Sequence, residues 1–356
     1  MRAFVIGGAT LDTIISYEEM ESLTHRKEGF EQSYLLLREG AKIEVSDQKY
    51  FSGGGATNAA VSFKRQGLDV RLFCKVGRDL PGEMILKELE GFGVDTSEVR
   101  FSSEEGTASS FVVPSLSGDR TLFAYRGANT TLLSEELPLQ SIKGSNFIYI
   151  TSLSKASALH LPALVQAAST LKVPVAVNPG ISQLRLGSGF LREALSGIEI
   201  LITNYEEARQ FMDSLSAQKE AGHEKNLEMT GILMQETFSL KSYFERILSL
   251  GPKIVIVTNG REGVYVATHK GVYFHPIQEV NVVNTLGAGD AFGSSFASFY
   301  YRGFGLEKAI RAGIVNSASV VSFSDAKTGL LSQEVLMQKI EHLSSVPLKQ
   351  TSFSEL

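Results

Sequence analysis

The string Asn284-Thr285-Leu286-Gly287-Ala288-Gly289-Asp290-Ala291-Phe292, followed by Gly293, Ser294 and an apolar run, combines small residues with one acid. Small side chains let a ligand approach the backbone. Gly287, Ala288 and Gly289 at a helix N-terminus would point N–H groups at an anion, which the helix macrodipole also favours. A phosphate fits such a place. Asp290 cannot serve to attract it, because like charges repel. The useful role left to Asp290 is to take a proton from an attacking hydroxyl. Its plain alternative is an acid that merely caps the helix.

A second string, Ser52-Gly53-Gly54-Gly55-Ala56-Thr57-Asn58-Ala59-Ala60, is a triple glycine entering a stretch of helical composition. It lacks the terminal Gly-Lys-Ser/Thr of a Walker loop. Three glycines also make a hinge, and Asn58 can either hydrogen-bond a hydroxylated substrate or stabilise the turn. A third string, Asn204-Tyr205-Glu206-Glu207, directly follows the apolar run IEILIT, where parallel sheets put their ligands. Glu207 in a first helical turn either holds a magnesium ion through water or is an acid favoured by the dipole. Asp12, five residues after Gly7, adds a carboxylate at a fourth strand end.

These residues need strands that end beside one another and helices that begin there. The runs AFVI (3–6), VRLFCKV (70–76), FIYI (147–150), VPVAV (173–177), IEILIT (198–203) and KIVIVTNG (253–260) read as buried strands. Helical stretches at 57–66, 79–91, 157–171, near Leu191 and from Tyr205 alternate with them, the rhythm of a parallel sheet covered on both faces. A polar β patch interrupts that rhythm. Alternation at Lys42-Ile43-Glu44-Val45 predicts a strand with one solvated face, and FVVPSL and RTLFAY predict two more, joined by a turn at Ser117-Gly118-Asp119. VYVATH and VYFHPI predict an antiparallel edge hairpin, 210–250 predicts two exposed helices around Gly222 and Gly231, and the tail from Ser344 reads as frayed.

Composition narrows the function. The 356 residues carry 34 Lys+Arg against 39 Asp+Glu, a net charge of −5, with no basic stripe, which argues against nucleic acid as the main partner. The single cysteine, Cys74, supports neither a disulfide framework nor a thiolate metal site and points to a reducing compartment. No apolar stretch reaches the roughly 18 to 20 residues that span a bilayer, so no membrane partner and a cytoplasmic location are expected. There is no G-x-G-x-x-G after the first strand, as a dinucleotide-binding dehydrogenase requires, and no nucleophile elbow for Ser/His/Asp hydrolysis.

Taken jointly, GGGATN (53–58), NYEE (204–207) and NTLGAGDAF (284–292) resemble the motifs of the ribokinase-like sugar kinases, the PfkB carbohydrate kinase family. Lesser strings agree in order along nearly the whole chain: GRDLPG (77–82), GVDTSEV (93–99), RGANTTL (126–132), NPG (178–180) and VTNGREGVYV (257–266). The resemblance implies a three-layer αβα sandwich with a mostly parallel central sheet and a small β-sheet lid. It implies transfer of the γ-phosphoryl group of ATP to a hydroxymethyl group, with Asp290 as base and Gly287, Ala288 and Gly289 as anion hole. Asp12, Gly54, Gly55 and Asn58 would hold the acceptor's hydroxyls. Asn204 and Glu207 match an element governing Mg2+ and phosphate. Thr258, Gly260 and Gly263 match the nucleotide-side turn, and Asn316 falls near the adenine.

On the same resemblance the kinase domain comprises 1–14, 53–95 and 127–356, the lid 15–52 and 96–126, with a helical insertion at 211–250. Exposed lid edges are commonly managed by pairing with another chain, so a homodimer through the lid is expected. Two residues depart from the pattern. Asn284 stands where the family usually has Asp, and a neutral amide loses the charge pairing that helps bind a monovalent cation, which puts potassium activation in question. Leu286 replaces a residue that is commonly small or polar. The rival within the fold is a nucleoside kinase, since a ribose hydroxymethyl offers the same reacting group and Tyr34, Tyr50, Phe123 and Tyr125 can stack on a base or pack a strand. The rival from another class is a non-catalytic sugar or nucleotide sensor on the same scaffold.

Overall fold

The computed structural model describes residues 1–16, 21–27, 30–114, 120–216, 238–343 and 346–353. Strand β1 (Arg2–Ile6) opens the main sheet, buried along nearly its whole length. β2 (Thr10–Ser16) leaves that sheet, β3 (Glu21–Lys27) and β4 (Phe30–Leu36) form an antiparallel ribbon, and β5 (Asp47–Gly53) returns antiparallel to β2. Next come α1 (Gly55–Arg65), β6 (Asp69–Phe73), β7 (Lys75–Gly77), α2 (Leu80–Gly91), β8 (Arg100–Ser102), β9 (Ser109–Pro114) and β10 (Arg120–Tyr125). The small sheet has the order β10-β9-β2-β5.

The second half alternates strand and helix: β11 (Phe147–Ile150), α3 (Leu161–Thr170), β12 (Val175–Val177), α4 (Ile181–Leu184), α5 (Gly187–Leu195), β13 (Ile200–Asn204), α6 (Tyr205–Ser216), α7 (Leu240–Ser249) and β14 (Ile254–Thr258). The hairpin β15 (Val264–Thr268) and β16 (Gly271–His275) follows, then α8 (Ala288–Tyr301), α9 (Leu306–Val320), α10 (Gln333–Leu343) and β17 (Lys349–Thr351). The main sheet has nine strands in the order β17-β16-β15-β14-β13-β12-β11-β1-β6, parallel from β6 to β14 and antiparallel beyond.

Strand alternation divides the core in two. Ala3 and Val5 of β1 pack with Phe63 of α1, Phe292 and Phe296 of α8 and Ile310 of α9. Phe4 and Ile6, one residue out of phase, pack with Leu164 of α3, Phe211 of α6 and Phe244 of α7. The result is the expected three-layer arrangement. Among the described residues no helix is long and apolar enough to cross a membrane.

Several local expectations need correction. The boundary expected between residues 14 and 15 falls inside β2, so Asp12 sits on the small sheet and not at a main-sheet strand end. Lys42–Val45 forms no strand: Ile43 and Val45 are 46% and 43% exposed, and alternation stabilises a strand only when one face is covered. The flanks of the expected insertion belong to the core, since Phe211, Tyr243, Phe244 and Ile247 are buried. The two helices expected around Gly222 and Gly231, and the turn at Ser117-Gly118-Asp119, lie outside the described residues. The tail is not frayed throughout, because Lys349–Thr351 pairs with β16 as the edge strand.

Candidate active site

In the sheet, β1 lies between β6 on one side and β11 on the other, so the connections leaving it diverge and open a crevice at the carboxyl ends of the strands. Helices α1 and α8 both begin there. Gly54 precedes α1 with φ +95, and a Cβ on it would fall 2.5 Å from the Gly8 carbonyl oxygen, so the chain can turn into the helix this tightly only with glycine. Gly287 does the same for α8 with φ +74, resting against Ala326.

Asp290, in the first turn of α8, meets α1 directly: Asn58 Nδ2 donates to Asp290 Oδ2 at 2.8 Å. A Cβ on Gly55 would lie 3.1 Å from Asp290 Oδ1, so the glycine leaves the carboxylate's other face open. Burial pushes the Asp290 carboxyl above its ordinary range, while the Asn58 hydrogen bond and the Lys327 ammonium pull it back. Asn58 is 5% exposed, and its Oδ1 has no hydrogen-bond partner among the described residues. The N–H of Ala288 reaches back to Thr285 O at 3.4 Å, a long contact. Gly289 faces open space, with nothing within 4 Å of a built Cβ.

Asp12 approaches from the small sheet. It is in register with Ser110 on β9, whose hydroxyl donates to Asp12 Oδ1 at 2.5 Å, and its other oxygen fills the place a side chain on Gly53 would take. Asn129 clamps the connection between β1 and β2 by accepting from the Ala9 N–H and donating to the Ala9 carbonyl.

On the other flank of Asp290, Asn204 and Thr258 are register partners at the ends of β13 and β14. Asn204 and Glu207 form a reciprocal cap on α6. The Asn204 N–H donates to Glu207 Oε2 at 2.9 Å, and the Glu207 N–H donates to Asn204 Oδ1 at 2.8 Å. Burial raises the Glu207 carboxyl, the Asn204 N–H lowers it, and the charge of Asp290 raises it further. The capping and ligand readings of Glu207 are thus compatible, because the cap engages one oxygen. Gly260 and Gly263 shape the turn after β14, where the Asn259 N–H donates to Gly263 O.

Asn316 requires a correction. It is 0% exposed, donates to Ser62 Oγ, Ser295 Oγ and the Ala291 carbonyl, and accepts from the Leu331 N–H. Its amide is committed to joining α9, α8 and α1, leaving no face for a nucleotide. Asn284 uses its amide within the chain too, donating to Ser324 O at 2.9 Å and accepting from the Leu286 N–H at 3.0 Å.

The sequence reading missed Ser110 and Lys327. Lys327 is 4% exposed and donates to Ser52 Oγ and, at 3.4 Å, to Glu88 Oε1. A lysine in the turn-like stretch SFSDAKTG carries no sign of burial, since lysine is ordinarily a surface residue. Among the described residues no group of three or more His, Cys, Asp or Glu side chains is placed to hold a metal ion.

Comparison with known proteins agrees with this architecture. The model of the pfkB family carbohydrate kinases matches residues 22–332. A ribokinase of Staphylococcus aureus is 27% identical over 265 residues, covering 73% of this chain and 78% of the relative. The structure of Arabidopsis thaliana ribokinase complexed with ribose and ATP superimposes with a TM-score of 0.74 at 19% identity, covering 95% of this chain and 98% of the other. The structure of Burkholderia thailandensis nucleoside kinase in complex with inosine gives 0.73 at 17%, covering 97% and 100%. The molecule is a phosphotransferase of the ribokinase fold with an alcohol group as acceptor. The chain belongs to the pfkB family of carbohydrate kinases.

Proposed function

We propose that the protein transfers the γ-phosphoryl group of ATP to a hydroxymethyl group of a sugar, with Asp290 as general base. The observation that carries this reading is the setting of Asp290. Its carboxylate lies at the meeting of two helix N-termini, held by Asn58, with Asp12 on the small-sheet side and Glu207 on the other. In that setting the carboxylate accepts the hydroxyl proton as the oxygen attacks, while the N–H groups of Gly287, Ala288 and Gly289 balance charge on the transferring group. Asp12, Gly54, Gly55 and Asn58 orient the acceptor's hydroxyls. The buried Asn58 Oδ1 is suited to accept from one of them, and its partner bond to Asp290 links acceptor binding to the base.

Asn204, Thr258, Gly260 and Gly263 form the nucleotide flank. The open space before Gly289 leaves room for phosphate oxygens beside the first turn of α8. Glu207 keeps one carboxylate oxygen outside its cap, and such a single hard donor suits a hydrated magnesium ion shared with phosphates better than an all-protein cage. When bound, magnesium supplies charge neutralisation at the phosphates. The small sheet, carrying Asp12, is suited to exclude water on closing over the acceptor.

A nucleoside acceptor is the second reading. Tyr34, Tyr50, Phe123 and Tyr125 are each about half exposed on the ribbon and small-sheet strands, and although the Tyr125 hydroxyl donates to Glu105 Oε2, the exposed ring faces of Tyr50 and Phe123 suit stacking on a base. The same exposed side chains suit a homodimer through the lid, which a monomeric mass in solution would exclude.

The test is ADP release from magnesium ATP across ribose, fructose, other sugars and adenosine, with Asp290→Asn as the blank. One acceptor far above the blank supports the kinase and identifies its substrate class. If none exceeds the blank while ATP or a sugar still raises the melting temperature, the sensor reading replaces it.

A further inference from the structure

Lys327 is a charged side chain buried where burial is costly, and its surroundings show what it joins. An isolated ammonium in a protein interior is strongly unfavourable unless paired and hydrogen-bonded. Here it is 4% exposed and hydrogen-bonds two elements besides its own turn. Its ammonium donates to Ser52 on β5 and to Glu88 on α2, and lies in the field of Asp12 on β2. Its own turn is held by Asp325, whose Oδ1 accepts from the N–H groups of Lys327 and Thr328. That turn is the one on which Gly287 rests through Ala326, and whose Ser324 carbonyl is bound by Asn284.

One side chain therefore spans the two halves of the site. At one end is the turn under the start of α8, which carries Asp290. At the other is Ser52, immediately before the glycine that makes room for Asp12. We propose that Lys327 is a positioning residue of the phosphoryl-transfer site, tying the small-sheet strand β5 to the turn beneath Gly287 and so fixing the separation of Asp12 and Asp290. The inference rests on the kinase reading above. The ammonium also balances carboxylates that would otherwise repel one another: Asp12 on β2, Glu88 on α2, Asp325 on its own turn and Asp290 on α8. Serine and lysine are matched for this work, because a hydroxyl oxygen accepts a hydrogen bond from the ammonium without adding another negative charge.

The experiment compares Lys327→Met, Lys327→Arg and Ser52→Ala with wild type and Asp290→Asn. The assay is ADP release from magnesium ATP with the most active of D-ribose, D-fructose and adenosine. Lys327→Met is expected to lose about 30-fold or more in kcat and to raise the acceptor KM, since small misplacements of reacting groups cost rates of this order. The KM for ATP should rise by a smaller factor than the acceptor KM, because among the described residues Lys327 has no hydrogen bond to Asn204, Thr258, Gly260 or Gly263 and reaches the phosphate side only through the turn under Gly287. Lys327→Arg should recover most of the loss. Ser52→Ala, which removes the contact and keeps the charge, should shift kcat and acceptor KM in the same direction by a smaller factor. This second variant decides the matter if Lys327→Met does not fold.

Wild-type kinetics in Ser52→Ala, or in a folded Lys327→Met, overturn the inference alone, provided Asp290→Asn is inactive. Equal losses for the acceptor and for ATP in Lys327→Met, with no recovery in Lys327→Arg, also overturn it, since they describe a general loss of structure. Full turnover in Asp290→Asn removes the base assignment, and no ADP release by wild type across the whole panel of sugars and adenosine removes the kinase reading; either removes this inference with it.

Discussion

Asn58 Nδ2 and Asp290 Oδ2 are 2.8 Å apart, joining the first turns of two helices that lie 232 residues apart in the chain. The direction of this bond matters. The amide donates, so it stabilises the carboxylate over the acid and works with Lys327 against the upward push of burial. With Asp290 as the proposed base, which must be ionised to act, activity should be lost as pH falls through its pKa. Replacing Asn58 with Ala removes one of the two opposing influences. The acid limb of the kcat/KM profile should then move to higher pH, with a loss of about tenfold or more at neutral pH from misplacement of the base. An acid limb at its original pH in Asn58→Ala would show that the bond does not govern the ionisation.

Asp290→Asn should fold and lose roughly 10² to 10⁴ in turnover, the usual worth of a positioned general base. It should also melt at a higher temperature at neutral pH. The folded carboxyl is raised above its unfolded value, so its contribution to stability is fully present below the unfolded pKa and lost as pH rises through the folded one. At neutral pH a desolvated carboxylate is a burden that the amide does not carry. Calorimetry from acid to neutral pH checks the sign, because the advantage of Asp290→Asn should shrink as pH falls.

Glu207→Gln separates the cap from the metal. Gln at this position can still accept from the Asn204 N–H, so stability should change by less than about 1 kcal/mol. The magnesium concentration for half-maximal rate should rise, because a charged hard oxygen donor is gone. An unchanged magnesium titration would remove Glu207 from the metal site.

Asn284 donates to the Ser324 carbonyl, so an N–H stands where the motif resemblance implies an acid that helps to hold a monovalent cation. The rate should therefore differ by less than about twofold between potassium and choline salts at equal ionic strength, where screening of exposed charges is the same. Asn284→Asp should bring potassium dependence. Strong activation of the wild type by potassium would contradict this reading of the amide.

Gly287 and Gly289 should respond differently to alanine. Gly287 has φ +74 and a built Cβ would lie 2.4 Å from the Ala326 Cβ, so Gly287→Ala should cost stability by about 1 kcal/mol or more. A Cβ on Gly289 meets nothing, so Gly289→Ala should melt like wild type and raise the KM for ATP by crowding the phosphate space. Urea denaturation together with ATP saturation curves distinguishes the two.

The long apolar runs of the main sheet were legible because a strand buried on both faces has little choice of composition, and Ala3–Ile6, Phe147–Ile150 and Ile254–Thr258 fall where the pattern predicts. The motif strings were legible for a related reason: a glycine at positive φ beside a helix start, as at Gly54 and Gly287, leaves a mark in the sequence that few other needs produce. Pairing was not legible. Lys42–Val45 alternates as well as any half-buried strand, yet Ile43 and Val45 stay 46% and 43% exposed and pair with no strand among the described residues, and Lys349–Thr351 has little apolar character, yet β16 offers it an open edge. Partners were hidden in the same way. The sequence by itself determined a doubly covered parallel sheet, its glycine turns and the acids near them, because local propensity and periodicity act over a few neighbouring residues. Only the tertiary structure decided that Asn58 holds Asp290, that Asn316 is committed to the core, and that Lys327 is buried between Ser52 and Glu88. Those outcomes depend on which groups a finished fold brings together and which it removes from water, and no single stretch of chain encodes that choice.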